Sequence, residues 1–336
     1  MKWANTIKWC KDHVELIDQR KIPLKEEYLK IRTAEEMYKA IKEMIIRGAP
    51  AIGVAAAYGI ALAALKTKNK ETLQKKIALI ESARPTAYNL FYAVKRMKDL
   101  LEKSERIEAS SFVKEAIAIH EEDKKLTELL GENGAPLIED KALYMTICNA
   151  GALATGGIGT ALAVFYKAKE QGKKFTVFVP ETRPYLQGAR LTAWELQKNG
   201  IEVILIVDGA IGHILKTENI KGVFVGADRI AKNGDVANKI GTYSLAISAK
   251  ENNVPFYVVA PKTTFDIDLV TGERIPIEER PEKEVTEIMG LRVAPHNIKV
   301  RNPAFDVTPG KLISGIVTDK GIIPPPFKKN IKRILC

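Results

Sequence analysis

From about residue 140 the chain alternates short apolar, β-branched runs (142–147, 174–179, 202–207, 223–227 and 255–259) with segments of helical periodicity. Such a run has no polar face to offer water, so it must be covered on both sides, and each intervening segment is long enough to cross over as a helix. The pattern predicts a Rossmann-like α/β domain, a parallel sheet with helices on both faces. In sheets of this kind ligands bind beyond the carboxyl ends of the strands, where the strand order reverses. The first four runs end at Cys148, at Pro180-Glu-Thr-Arg-Pro184, at Asp208-Gly209 and at Gly226-Ala-Asp-Arg229. Functional residues are expected on those edges.

The preceding part reads differently. Residues 4–20 alternate apolar and polar around Lys11-Asp12, as a small β-hairpin does. Thr33 and Glu36 form a capping-box pattern before a helix whose apolar face carries Met37, Ile41, Met44 and Ile45. Arg47-Gly48-Ala49-Pro50 breaks that helix, and Pro50 suits the first turn of the next, where a missing N–H removes no bond. Helices are expected at about 71–82, 88–103 and 107–130, and the turn-rich patch Gly131-Glu-Asn-Gly-Ala-Pro136 marks a boundary. The expected organisation is thus a mostly helical part with a small β element (1–131) and a Rossmann-like α/β catalytic part (132–336).

With 336 residues, 46% of them hydrophobic, the chain can bury a large core. Its net charge of +11 is scattered, without a basic run interleaved with aromatics. That favours small anionic ligands and ranks nucleic acid below them. Residues 49–65 are apolar but rich in Ala and Gly, which reads as a buried helix and not a membrane span. The first residues lack a secretory pattern, so a cytoplasmic protein is expected. Cys10, Cys148 and Cys336, with four scattered histidines, suggest neither a disulfide framework nor a metal cluster.

Chemistry concentrates in the run Cys148-Asn-Ala-Gly-Ala-Leu-Ala-Thr-Gly-Gly-Ile-Gly159. Glycines leading into a helix suggest a phosphate cradle, and a helix dipole there would lower the Cys148 thiol pKa. The alternative is a buried cysteine beside a tight turn. A dinucleotide fingerprint fails on spacing, because Leu162 stands where the last glycine is required, and a P-loop fails because Gly157 stands where its lysine is required. A generic phosphate or sugar-phosphate site stays open. Asp228 arrives at the end of an apolar strand, either capping a helix or held as an acid or base of raised pKa, and Asn238 and Lys239 follow it closely. Arg47 and Arg84 lie in loops beside small residues and prolines, either as solvated surface arginines or suited to closing over a phosphate, and Gln187 either reaches sugar hydroxyls or is a polar residue at a helix N-terminus.

Taken in order, Ile46-Arg-Gly-Ala-Pro-Ala-Ile-Gly53, Ala83-Arg-Pro-Thr-Ala87, Thr146-Ile-Cys-Asn-Ala-Gly-Ala152, Glu181-Thr-Arg-Pro-Tyr-Leu-Gln-Gly-Ala-Arg190, Gly226-Ala-Asp-Arg229, Asn238-Lys-Ile-Gly-Thr242 and Asn302-Pro-Ala-Phe-Asp-Val-Thr-Pro309 resemble the methylthioribose-1-phosphate isomerases. These share a superfamily with ribose-1,5-bisphosphate isomerase and the regulatory subunits of translation initiation factor 2B. The full Arg-Gly-Ala-Pro-Ala-Ile-Gly block and the ending Ile316-Val-Thr-Asp-Lys-Gly-Ile322 favour the methylthioribose member. The resemblance implies a homodimer acting on a sugar phosphate in methionine salvage, without cofactor or metal. It implies Cys148 and Asp228 as the catalytic pair, and Arg47, Gly48, Ala49, Arg84, Gln187, Asn238 and Lys239 as substrate-binding residues. Two routes fit these residues: an enediol route with Cys148 as thiolate and Asp228 as acid, or a hydride shift from C2 to C1. A bisphosphate isomerase, or an initiation-factor-like subunit that only senses the sugar phosphate, is the competing reading.

Overall fold

The computed structural model describes residues 5–84 and 88–335. Pro85, Thr86 and Ala87 of the second arginine loop, and Cys336, lie outside the described residues. The expected hairpin forms from β1 (Ile7–Cys10) and β2 (His13–Ile17), and β3 (Tyr28–Ile31) adds a third antiparallel strand. That third strand escaped the sequence reading because Tyr28 and Lys30 are exposed and only Ile31 is fully buried. Helix α1 (Ala34–Lys42) is capped by Thr33, whose hydroxyl accepts from the Glu36 N–H at 3.0 Å. Glu36 reaches back as expected, but to the N–H of Arg32 instead of the cap residue's own.

Helix α2 (Ala49–Lys66) starts with Pro50 in its first turn and has the length and apolarity of a membrane span. Yet 83% of that apolar window is buried within the fold, against α1, α3 (Lys70–Glu81), α4 (Tyr88–Lys103) and α5 (Ala109–Gly134). It is the core helix of the N-terminal part. The turn expected at 131–136 is displaced: α5 continues through Gly134, and Pro136 sits in the 3₁₀ turn Ala135–Leu137. Its glycines serve helix packing. A Cβ at Gly131 would meet the Ala163 carbonyl oxygen at 2.8 Å, and one at Gly134 would meet Val164 at 2.4 Å.

The remaining elements are β4 (Ala142–Met145), α6 (Ala161–Glu170), β5 (Phe175–Pro180), α7 (Ala193–Lys198), β6 (Glu202–Ile206), α8 (Ile211–Thr217), β7 (Ile220–Val225), β8 (Arg229–Ala231), β9 (Val236–Lys239), α9 (Thr242–Glu251), β10 (Phe256–Val259), β11 (Phe265–Asp266), α10 (Lys283–Thr286), β12 (Glu287–Ile288), β13 (Leu291–Arg292), β14 (Phe305–Thr308), β15 (Gly315–Thr318), β16 (Gly321–Ile323) and α11 (Phe327–Leu335). The main sheet has the order β16-β15-β10-β7-β4-β5-β6, parallel throughout except for β16 at one edge. Alternate residues of the central strands feed opposite cores, whereas β6 at the sheet edge, expected to be covered on both faces, has none of its residues fully buried. Tyr144 and Phe224 join the aromatic cluster with Phe165 and Phe175, whereas Met145 and Val223 face the cluster around Leu245 and Phe256. Burial on both faces is what the uniformly apolar runs require. A second sheet, β11-β8-β9-β14, was not legible in the sequence because its strands are only two to four residues long.

Candidate active site

Strand β4 lies between β7 and β5, so the chain leaves it in one direction through β5 and β6 and returns on its other side through β7, β10 and β15. The strand order reverses between β4 and β7, and a crevice opens there beyond their carboxyl ends. Cys148 lies just past β4 and Asp228 just past β7. The β8–β9 hairpin turns the chain back so that Asn238 and Lys239 arrive beside them, while the N-terminal part supplies Arg47, Gly48, Ala49 and Arg84 and the loop after β5 supplies Gln187. The structure brings all nine of these residues to one pocket.

The cationic side of the pocket is built around the start of α2. Gly48 precedes this helix at φ 95°, and a Cβ there would come within 2.5 Å of the Ala154 Cα, so only glycine fits. Among the described residues no side chain caps the helix and no acidic residue lies in its first turn, leaving N–H donors and the positive dipole end for an anion. Arg47 is buried and oriented by Asn149, to whose Oδ1 and backbone carbonyl it donates at 2.5 and 2.7 Å. Arg84 donates from Nη2 to Glu278 at 2.9 Å, and its buried Nε has no partner among the described residues. The Lys239 ammonium lies 4.9 Å from the centroid of the Phe305 ring.

The glycine run does not form the expected amide cradle. It folds into a 3₁₀ turn (Ala152–Ala154) and an antiparallel bridge between Gly151 and Gly159 before α6 begins at Ala161. The amides of its glycine-rich part are already paired: Gly156 N–H donates to Asp123 at 2.6 Å, Gly157 N–H to Thr155 at 3.2 Å, Ile158 N–H to Thr127 at 3.1 Å and Thr160 N–H to the Ala150 carbonyl at 2.8 Å. The glycines answer to packing, and the anion donors come from α2.

Nor does a helix dipole lower the Cys148 thiol. Burial pushes it above its ordinary value of 9.0, more than Arg47 and Lys239 pull it down. Cys148 has φ 61°, an uncommon conformation for a residue with a side chain. It is held by a Thr182 hydroxyl that accepts from its N–H at 2.9 Å and by a Thr192 hydroxyl that donates to its carbonyl. Burial likewise pushes Asp228 above 3.8, opposed by Lys239, Arg47 and Arg84, and pulls Lys239 down, opposed by Cys148 and Asp228. Burial thus pushes both the thiol and the carboxyl toward their neutral forms, and Arg47 and Lys239 beside them oppose it.

Other residues of the site were not anticipated. Glu195 on α7 is buried and accepts from Asn149 Nδ2 at 2.7 Å, from Ala152 N–H at 2.7 Å, from Leu153 N–H at 3.2 Å and from the Tyr166 hydroxyl at 3.0 Å. It thereby fixes the turn that carries Cys148 and the anchor of Arg47. Asp208, expected at a ligand-binding edge, is structural: it accepts from the N–H groups of Thr182 and Arg183 and holds the loop leading to Gln187. The buried Gln187 Oε1 has no protein partner among the described residues, and a buried acceptor left unpaired calls for an explanation. Phe305 and Asp306 come from β14, where Asp306 accepts from the N–H groups of Gly241 and Tyr243 at the start of α9. Beyond Arg84 and Asp228 the pocket continues into an apolar lobe lined by Ile52, Ala237, Ile275, Pro276, Ile277 and Phe305. Arg229 at its rim is paired with Asp266 at 3.4 Å and stacks on Tyr88.

One donor cluster was not foreseen. Cys10, His13 and Glu15 share the outer face of the β1–β2 hairpin with donor atoms within 4.8 Å of one another. Lys8 and Lys30 stand directly opposite Glu15 on either side, and their charges oppose a cation there.

A profile of the initiation factor 2 subunit family matches residues 45–325. The methylthioribose-1-phosphate isomerase of Thermotoga neapolitana is 52% identical over 99% of this chain and 98% of its own length. The solved 5-methylthioribose 1-phosphate isomerase of Pyrococcus horikoshii superposes with a TM-score of 0.91 at 42% identity, over 99% of this chain and 96% of that one. A solved chain from A. fulgidus, described as the delta subunit of translation initiation factor eIF-2B, superposes with a TM-score of 0.88 at 44% identity, over 98% of this chain and 99% of that one. The chain belongs to the initiation factor 2 subunit family, in the branch of the methylthioribose-1-phosphate isomerases.

Proposed function

We propose that the chain isomerises 5-methylthioribose 1-phosphate to 5-methylthioribulose 1-phosphate, with Cys148 and Asp228 as its proton-transferring pair. The observation that carries this reading is a thiol and a carboxyl at the strand-order switch, between a cationic helix start and an apolar lobe. A phosphate on the anomeric carbon prevents the ring from opening spontaneously, so an acid must protonate the ring oxygen. Arg47, Arg84, Lys239 and the first N–H groups of α2 hold the phosphate, and Gln187 and Asn238 bind sugar hydroxyls. The Cys148 thiol donates its proton to the ring oxygen as the C1–O bond breaks. The hydride on C2 moves with its electron pair to C1, and the C2 hydroxyl gives its proton to the Asp228 carboxylate, leaving the ketone. Proton return from Asp228 to the thiolate resets the pair. The raised thiol favours this route over an enediol route, which needs a thiolate at the start.

The apolar lobe suits a methylthio group. A 5-phosphate would need a further cation there, whereas Arg229 at the rim is matched with Asp266 and Arg84 already serves the 1-phosphate. Substrate substituted with deuterium at C2 is expected to give a ketose that retains the label at C1, with ribose 1,5-bisphosphate turned over at least about 100-fold less efficiently, since a buried unpaired charge costs several kcal/mol. Wash-out of the label would restore the enediol route. Turnover of the bisphosphate alone would move the assignment to the sister enzyme, and turnover of neither to a sensing subunit.

For the quaternary structure we propose a homodimer that covers the β6 edge of the main sheet. Ile204, Leu205 and Val207 there are 40%, 51% and 59% exposed, and an open apolar edge strand is a pairing hazard unless covered. Leu205→Lys is expected to shift the species seen by light scattering from dimer to monomer at micromolar concentration. A variant that stays dimeric would place the interface elsewhere.

A further inference from the structure

His120, Asp123 and Thr127 take no part in the chemistry above, yet their spacing puts all three on one face of α5, and that face grips the loop behind the active site. The Asp123 carboxylate accepts from the Gly156 N–H at 2.6 Å, and Thr127 Oγ1 accepts from the Ile158 N–H at 3.1 Å while donating to the Lys124 carbonyl at 2.8 Å. His120 donates from Nε2 to the Gly156 carbonyl at 2.9 Å, which leaves Nδ1 to accept from the Tyr58 hydroxyl at 2.8 Å. Burial pulls the His120 pKa down, in keeping with that neutral form. Tyr58 belongs to α2, so the histidine ties the loop to the very helix whose start faces the pocket.

The two glycines gripped here are required by this contact. A Cβ at Gly156 would fall 2.6 Å from the His120 ring, and one at Gly157 would fall 2.1 Å from Thr127 Oγ1 and 2.9 Å from the Lys124 Cα. The front of the same loop is functional surface: Ala154 abuts Gly48 at the start of α2, and Thr155 and Thr160 line the pocket. We infer that His120, Asp123 and Thr127 are positioning residues that fix the 154–160 loop against the start of α2 and so set the affinity for the substrate's phosphate. Burial also pushes the Asp123 carboxyl up to about 6, an unfavourable setting that a position serving packing alone would fill with an apolar side chain.

This inference rests on the proposed phosphate site, so its test includes readouts independent of turnover. Asp123→Ala, Asp123→Asn and Thr127→Val would be compared with the parent chain for inorganic phosphate affinity by calorimetry, for KM and kcat, and for amide hydrogen exchange across 154–160. Asp123→Ala is expected to weaken phosphate binding and raise KM by about 5–10-fold, with kcat within about threefold, as the loss of one charge-assisted hydrogen bond predicts. Exchange in the loop should quicken, and Asp123→Asn, whose amide oxygen still accepts from Gly156, should restore affinity and KM. If Asp123→Ala does not fold, Thr127→Val carries the test with a smaller change of the same sign. Unchanged phosphate affinity and KM in the folded variants, or a fall in kcat alone, overturns the inference. A parent chain that binds no phosphate and turns over no sugar phosphate overturns the functional reading instead, and loop exchange in the variants still tests whether α5 holds the loop.

Discussion

Cys148→Ser and Asp228→Asn are each expected to lower kcat by roughly 10³-fold, with KM changed by less than about threefold, because a positioned acid or base contributes about 10²–10⁴-fold. A serine hydroxyl is a far weaker acid than a thiol and cannot protonate the ring oxygen, while an asparagine amide cannot take the proton from the C2 hydroxyl. Neither change empties the phosphate site, so binding should survive. The two groups pass one proton between them, so the double variant should fall little below either single one. The pH profile of kcat/KM carries the same assignment. The proposed route requires Asp228 ionised and Cys148 protonated, so activity should fall on the acid side at a pH above that of an ordinary aspartate, since burial raises that carboxyl. It should fall again on the alkaline side as the thiol ionises above 9.0. A Cys148→Ser enzyme that keeps a tenth of parental kcat would remove the thiol from the reaction.

The main sheet was legible because uniformly apolar strands can be satisfied only by covering both faces, and the same logic located the crevice after β4 and β7. Within it, strand ends made Cys148 and Asp228 candidates but left a buried cysteine and a helix cap as equal readings, as Asp208 at another strand end shows, and only the family resemblance singled out the pair. The glycine run misled because glycine answers to more than one demand. At Gly156 and Gly157 the demand is the approach of α5, some thirty residues earlier in sequence, which no local pattern reveals. Glu195 was illegible for a related reason: in Ala193-Trp-Glu-Leu-Gln-Lys198 it looks like one more charged residue of a surface helix, and only the tertiary fold shows the four donors around it. Phe305 arrives from a short strand of the second sheet, whose antiparallel pairing with β9 sets it beside Lys239. The candidate pair thus lay at strand ends, whereas the residues that hold it depended on contacts distant in sequence.

Glu195→Ala is expected to be the most destabilising single change in the site, by about 3–5 kcal/mol. The carboxylate is buried and satisfies two backbone N–H groups, a tyrosine hydroxyl and an asparagine amide. Truncation removes the acceptor of the Ala152 and Leu153 N–H groups in an enclosed space, and each buried unsatisfied group costs about 1–3 kcal/mol before relaxation. Glu195→Gln keeps one acceptor but turns an NH₂ group toward donors, so a loss of about 1–3 kcal/mol is expected even though shape and volume are preserved. The measurement is urea unfolding of both variants at one fixed protein concentration, because an oligomer's stability depends on it. The slope with denaturant should stay constant while the midpoint falls. Activity provides the second axis. Asn149 joins Glu195 to Arg47, so in Glu195→Gln, under conditions where it remains folded, Arg47 loses part of its anchorage and KM should rise more than kcat falls. If the midpoint of Glu195→Ala moves by less than about 1 kcal/mol, water or a rearranged loop satisfies those donors, and the turn carrying Cys148 is held by Thr182 and Thr192 alone.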